Sequence, residues 1–111
     1  MYNYGIPTQL KAWFDHIARA GVTFKYTEQG PVGLLTGKQA FVFATRGGLY
    51  AGSAHDHQAP HLRQFLGLLG ITEVDFTYAE GLAMGPQRRD ASLAQARSAL
   101  QNLAAPALLA A

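Results

Sequence analysis

The sequence contains no cysteine, which excludes disulfides and thiolate-bound metals. That composition suits a reducing compartment, and the cytoplasm is the expected location. Charge is also scarce. Asp, Glu, Lys and Arg make up 14% of the chain, against about 25% in ordinary soluble domains. With 49% hydrophobic residues, so few charges predict apolar surface, as at a subunit contact or on a face left by a missing part of a domain. Long apolar runs are absent: no stretch approaches the roughly 18 residues of a membrane-spanning helix. The N-terminus lacks the charged-then-apolar pattern of a signal peptide. The net charge is +2, and its nine cations are scattered with no basic run among aromatics, which argues against a nucleic-acid surface. No G-x-S-x-G, phosphate-binding P-loop or G-x-G-x-x-G occurs, so serine hydrolase, nucleoside triphosphatase and Rossmann readings have no support.

The chain has 111 residues, the size of one domain and enough to bury a core. Leu10, Trp13, Phe14 and Ile17 recur at helical spacing. They predict a helix over residues 8–20, with Pro7 at its start and Gly21 as its C-cap. Residues 22–37 carry Gly30, Pro31, Gly33 and Gly37 and read as one long loop. The continuous apolar run over residues 38–45 reads as a strand buried on both faces of a parallel sheet. After a small and polar loop closed by Pro60, Leu62, Phe65, Leu66 and Leu69 predict a helix over residues 61–69, capped by Gly70. A strand is expected over residues 71–79, a turn over 80–86, and an Ala- and Leu-rich helix over 87–105 that stops at Pro106. Alternating strands and helices imply an α/β fold with a parallel sheet and a ligand site beyond the carboxyl ends of the strands. The chain opens on a polar, aromatic turn, so a strand is expected in front of Met1.

Two segments carry chemistry. Thr45-Arg46-Gly47-Gly48 leaves a strand, and glycines let backbone N–H groups approach a ligand closely. A flat heterocycle with carbonyls and ring nitrogens needs such donors; the plainer reading is a tight strand exit with a surface arginine. Tyr2-Asn3-Tyr4 offers aromatic faces and an amide at a helix start, or simply ordinary packing there. His55, His57 and His61 invite a metal, but Asp56 is the one carboxylate nearby, and an exposed loop accounts for them better. His16 reads as structural or as part of a subunit contact. Trp13 and Phe14 read as core or interface. Asp15 and Glu28 have no paired group that would make either a base.

Met1-Tyr2-Asn3-Tyr4-Gly5-Ile6-Pro7-Thr8-Gln9-Leu10-Lys11 resembles the flavin loop and following helix of the bacterial FMN-dependent NADH-azoreductases. Arg19-Ala20-Gly21-Val22-Thr23-Phe24, Tyr26-Thr27-Glu28, Gly30-Pro31, Gly37-Lys38, Thr45-Arg46-Gly47-Gly48, Phe65-Leu66-Gly67, Gly70-Ile71-Thr72 and Ala79-Glu80-Gly81 extend the match in family order. The resemblance implies a flavodoxin-like three-layer fold with a five-stranded parallel sheet, of which this chain is the C-terminal portion. The first strands and the phosphate loop are expected outside it. Also implied is a homodimer that binds FMN and passes hydride from NAD(P)H, with NADH as the named co-substrate, to a quinone or azo compound, with no metal, nucleic acid or membrane partner. Family flavin contacts map onto Met1, Tyr2, Asn3, Tyr4, Thr45, Arg46, Gly47 and Gly48; Tyr26, Tyr50 and Leu68 map near the flavin face or substrate pocket. Thr45 stands where the family more often has Ser, Tyr4 replaces the commoner Phe, and Tyr50 takes a position where some relatives carry His. The alternatives are an inactive half-domain serving as a structural or binding module, and a quinone or nucleotide binder without redox activity.

Overall fold

The computed structural model describes residues 1–105 in full. Its elements run α1 (Thr8–Ile17), β1 (Phe24–Thr27), β2 (Gly30–Gly33), β3 (Gln39–Thr45), α2 (Gln58–Leu68), β4 (Glu73–Ala79) and α3 (Pro86–Ala110). The expected stop at Pro106 lies beyond the fully described residues. The chain divides into two compact units: Met1–Phe41 with Gly52–Asp75, and Val42–Ala51 with Phe76–Ala111. No described helix is long and apolar enough to cross a membrane.

In the first unit, the helical spacing seen in the sequence puts Phe14 on the inner side of α1. There it is 3% exposed and stacks on Phe65 of α2, with ring centroids 3.9 Å apart. Leu62 of α2, Leu69 just past the end of that helix and Phe24 of β1 complete this core. Trp13, one position from Phe14, is 57% exposed, so it is not part of the core. His16 is exposed, and Asp15 pairs with Lys11 on the surface at 2.7 Å.

α1 ends sooner than its pattern suggests. Ala18, not Gly21, closes it, and the Thr23 hydroxyl explains the stop by donating to the Ile17 carbonyl at 2.7 Å and accepting the Arg19 N–H at 2.9 Å. The segment expected to be one long loop instead folds back as an antiparallel hairpin. Phe24 pairs with Gly33 and Thr27 with Gly30, around Glu28 and Gln29. The Thr27 hydroxyl donates to the Gly30 carbonyl at 2.7 Å, bracing a turn whose exit glycine has a φ of 108°. Where β2 reaches the end of α2, two backbones nearly touch: a Cβ on Gly33 would run into the Gly70 nitrogen and the Leu69 carbonyl carbon. The Leu35 N–H donates to the Leu69 carbonyl at 2.9 Å beside that crossing.

α2 begins at Gln58, three residues earlier than expected, and Pro60 lies inside its first turn, where a missing N–H costs nothing. Asp56 makes the early start possible. Its buried carboxylate accepts the N–H groups of Gln58 and Ala59, each at 3.0 Å, satisfying two donors that a helix start leaves without intrahelical partners.

β3 and β4 form a two-stranded sheet. Gln39 reaches Asp75 near their starts, and the Arg46 N–H donates to the Ala79 carbonyl past their ends, so the two strands run the same way. The expected burial of β3 on both faces is not found. Phe41 and Phe43 are 44% and 61% exposed, while Ala40, Val42 and Ala44 turn to the half-buried side. The apolar run therefore alternates by size rather than by polarity. α3 starts at Pro86, a good first helical position. In the second unit, Leu93, Ala96 and Leu100 of α3 line an apolar cavity of about 180 Å³ with Phe43, Ala44 and Ala79.

Asp56→Ala should destabilise the protein by about 1–2 kcal/mol, the usual cost of a lost N-terminal cap. A urea melt followed by circular dichroism checks this; an unchanged midpoint would show that α2 does not depend on the carboxylate.

Candidate functional site

The loop after β3 is the most elaborately held segment of the second unit. Arg46 is expected on sequence as either a surface or a ligand-binding cation, but its side chain is completely enclosed. A buried guanidinium needs a counter-charge and hydrogen-bond acceptors. Glu80, at the end of β4, supplies both: Arg46 Nη1 lies 3.2 Å from its Oε2. The guanidinium also sits 4.6 Å from the centre of the Tyr78 ring, within reach of a cation–π attraction. The arginine thus works from underneath the loop.

Glu80 holds more than Arg46. Its carboxylate accepts the Tyr50 N–H at 2.7 Å and the Ala51 N–H at 3.0 Å. On the opposite strand of the loop, the carbonyls of Arg46, Gly47 and Gly48 accept N–H groups from Leu82, Ala83 and Gly81. Every carbonyl from 46 to 48 is thereby turned toward the 81–83 turn. The N–H groups of Gly47, Gly48 and Leu49 donate to nothing among the described residues. Gly47 and Leu49 are exposed residues and Gly48 is half-buried. A Cβ on Gly48 would lie 3.0 Å from the Tyr50 ring, so the aromatic face of Tyr50 closes one side of the loop. Chemically, such a row of amides beside an aromatic ring suits the carbonyl and nitrogen edge of a flat heterocycle.

The other segment of interest, residues 1–5, belongs to the first unit. Tyr2 and Gly5 exchange both backbone hydrogen bonds, at 3.1 and 2.9 Å, around Asn3 and Tyr4. Both central residues have positive φ, 49° and 67°. This is the pattern of a type I′ turn, which favours Asn but not Tyr. A left-handed tyrosine stores strain of about 1 kcal/mol or more, a feature concentrated at functional sites. The turn is anchored from α2 by the buried Gln58, whose amide donates to the Gly5 carbonyl at 3.1 Å. Tyr2 and Tyr4 are 67% and 53% exposed, and the Tyr4 ring lies 6.5 Å from that of His55. Met1 is half-buried beside them.

Of the remaining candidates, Tyr26 stands exposed on β1, edge-on to Phe24, and Leu68 is half-buried as the last residue of α2; both belong to the first unit. Thr45 ends β3 and is exposed. His55 and His57 are exposed, and His61 packs its ring against Phe14. No group of three metal-ligating side chains occurs among the described residues. A depression of about 610 Å³ over the start of α3 is open surface and touches none of the candidate site residues. A cleft of about 370 Å³ between Leu49, Tyr78, Glu80, Arg88, Ser92 and Gln95 borders the ion pair instead.

Sequence reasoning missed Glu80, Gln58 and Asp56. A signal for Glu80 exists: an arginine leaving a buried strand requires a carboxylate, and Glu80 is the acid that directly follows the neighbouring strand.

A strand–helix–strand crossover with a glycine-lined exit loop defines an open-sheet α/β protein, the class that takes its ligand past the strand ends. The chain belongs to the flavodoxin-like fold family, whose sequence profile matches residues 1–104. It is 58% identical over 101 residues to an FMN-dependent NADH:quinone oxidoreductase 3 of Pseudomonas aeruginosa, covering 91% of this chain and 47% of that protein. It is 60% identical over 104 residues to an FMN-dependent NADH:quinone oxidoreductase of Azotobacter vinelandii, covering 94% and 52%. Among solved structures, it superposes on an azoreductase from Bacillus anthracis with a TM-score of 0.84 at 28% identity, over 93% of this chain and 51% of that one. It matches an FMN-dependent NADH-azoreductase of the same species, solved with FMN, with a TM-score of 0.78 at 31% identity, over 94% and 52%. The chain spans about half the length of the relatives it matches.

Arg46→Met should cost about 3–5 kcal/mol, because it strips a largely buried Glu80 carboxylate of its partner. Adding Glu80→Leu should recover part of that loss. Urea denaturation of the two single variants and the double variant measures the coupling; additive losses would show that the pair does not act as a unit.

Proposed function

We propose that the protein is an FMN-dependent oxidoreductase of the cytoplasm that takes hydride from NADH and delivers it to quinones or azo compounds. The observation that carries this reading is the row of unspent amides at Gly47, Gly48 and Leu49, on a loop whose Arg46, Gly47 and Gly48 carbonyls are engaged by the 81–83 turn. The names of the relatives support it.

The residues fit the ring of such a cofactor. Gly47 and Gly48 would donate to acceptors on its polar edge, and a side chain at either position would intrude on that approach. Thr45 and Arg46 belong to the same loop, Arg46 acting through the backbone it supports. The same reading assigns flavin contacts to Met1, Tyr2, Asn3 and Tyr4, whose strained turn presents two exposed aromatic rings and an amide. Tyr26, Tyr50 and Leu68 are assigned to the ring face or the substrate pocket. When bound, the flavin would supply the hydride acceptor and donor chemistry. The work of this chain is to orient the ring and shield one edge of it from water.

Gly48→Val tests the loop. The branched side chain would press on the Tyr50 ring and occupy the approach to the amides, and a loss of about 1.4 kcal/mol of binding free energy there would weaken affinity about tenfold. Quenching of FMN fluorescence on titration with protein reports this. Unchanged affinity in the variant would remove the loop from the site.

The reading also includes a homodimer. Apolar residues such as Trp13, Tyr26 and Phe43 lie more than half exposed, which supports a further surface covering them. Light scattering should give twice the monomer mass across micromolar concentrations; a monomer throughout that range would refute this part.

A further inference from the structure

We infer that Glu80 is the positioning residue of the ring-binding loop: it fixes the Tyr50–Ala51 backbone and offsets the positive charge that Arg46 places beneath the site. The inference rests on the flavin reading above and adds to it a residue that touches no ligand.

Three observations converge on this one carboxylate. It accepts the N–H groups of Tyr50 and Ala51, which end the loop, while the carbonyls at 46–48 are held by the 81–83 turn. A segment tied along both sides has little freedom, so the amides of Gly47 and Gly48 keep their direction before any ligand arrives. Such preorganisation avoids ordering costs at the moment of binding. Second, the tie at Tyr50 sets where its ring lies against Gly48, and so how wide the approach to the amides is. Third, Glu80 is the acid partner of a fully enclosed guanidinium. Charge is felt strongly where water is excluded. A positive charge close to a flavin favours its electron-rich reduced form, and the carboxylate at 3.2 Å from Arg46 tempers that effect. Holding the loop and balancing the charge are separable, because one depends on reach and the other on ionisation.

Two substitutions separate them. Glu80→Gln keeps the length and one acceptor oxygen but removes the charge. Glu80→Asp keeps the charge but is too short to reach both Arg46 and the two amides. Both should weaken FMN binding about tenfold, the equivalent of about 1.4 kcal/mol. Both should also speed hydrogen exchange at the Tyr50 and Ala51 amides. The midpoint potential of the bound flavin, measured by equilibration with a redox dye, should rise in Glu80→Gln and stay nearer the original in Glu80→Asp. Equal potentials in all three proteins, or affinity losses that merely follow the urea midpoint, would overturn the inference. If neither variant folds, the unsubstituted protein decides. Its Tyr50 and Ala51 amides should exchange slowly with or without FMN, and its Gly47 and Gly48 amides should slow only when FMN is added. Fast exchange at Tyr50 and Ala51 in the free protein would overturn the role of Glu80 alone. Failure of the unsubstituted protein, tested together with the strands and phosphate loop expected ahead of Met1, to bind FMN would overturn the flavin reading, and this inference with it.

Discussion

A guanidinium buried directly after a strand is the constraint around which the second unit is arranged. Arg46 cannot stay charged inside the protein without a carboxylate, and Glu80 can reach it only if β4 ends beside β3. The ion pair therefore fixes the relation of the two strand ends. Once Glu80 is there, its remaining lone pairs draw in the Tyr50 and Ala51 amides, and the loop closes over the pair. A buried ion pair adds little net stability compared with an apolar pair of the same shape. What it gives is directionality: an apolar contact beneath the loop would not dictate which amides face outward.

In the first unit, the same problem is solved with neutral and helix-terminal groups. The turn at residues 1–5 places an asparagine and a tyrosine in left-handed backbone, which opposes spontaneous formation. Its two cross-turn hydrogen bonds and the Gln58 amide hold it in place. Gln58 in turn is set by Asp56, which receives its N–H at the start of α2. One short stretch, residues 56–59, thus starts a helix and tethers a strained turn. The first job uses the backbone donors that a helix start leaves unsatisfied, and the second uses the side chain of Gln58, which that start holds in place.

The fold class was readable because buried helix faces and strands leave periodic traces. Phe14, Leu62 and Leu69 are core residues in the structure, as their spacing implies. The motifs that resemble the family's flavin loops were recognisable in the sequence, and Thr45–Gly48 does leave a strand end. The hairpin at residues 24–33 was not readable, because Gly30, Pro31 and Gly33 are poor strand residues taken singly. Their pairing is dictated by Phe24 and Thr27 on the facing strand, and cross-strand partners cannot be seen in a linear pattern. The early start of α2 was hidden by Pro60, whose effect depends on whether it falls in the first turn or further in. The enclosure of Arg46 was hidden for a different reason. Burial of a charge is a property of the pair, and its partner lies 34 positions away.

The contact between Gly33 and Gly70 leaves no room for compromise. Most joints between elements are adjustable, since a larger side chain on one side can be matched by a smaller one opposite. Here main chain meets main chain, and Gly70 would meet the Gly33 carbonyl carbon at 3.1 Å if it carried a Cβ of its own. No compensating change exists on either side, because neither residue has anything left to remove. Drift in this protein must therefore pass around the joint. The separation between the hairpin and the end of α2 is inherited as a fixed dimension, and neighbouring surfaces evolve against it.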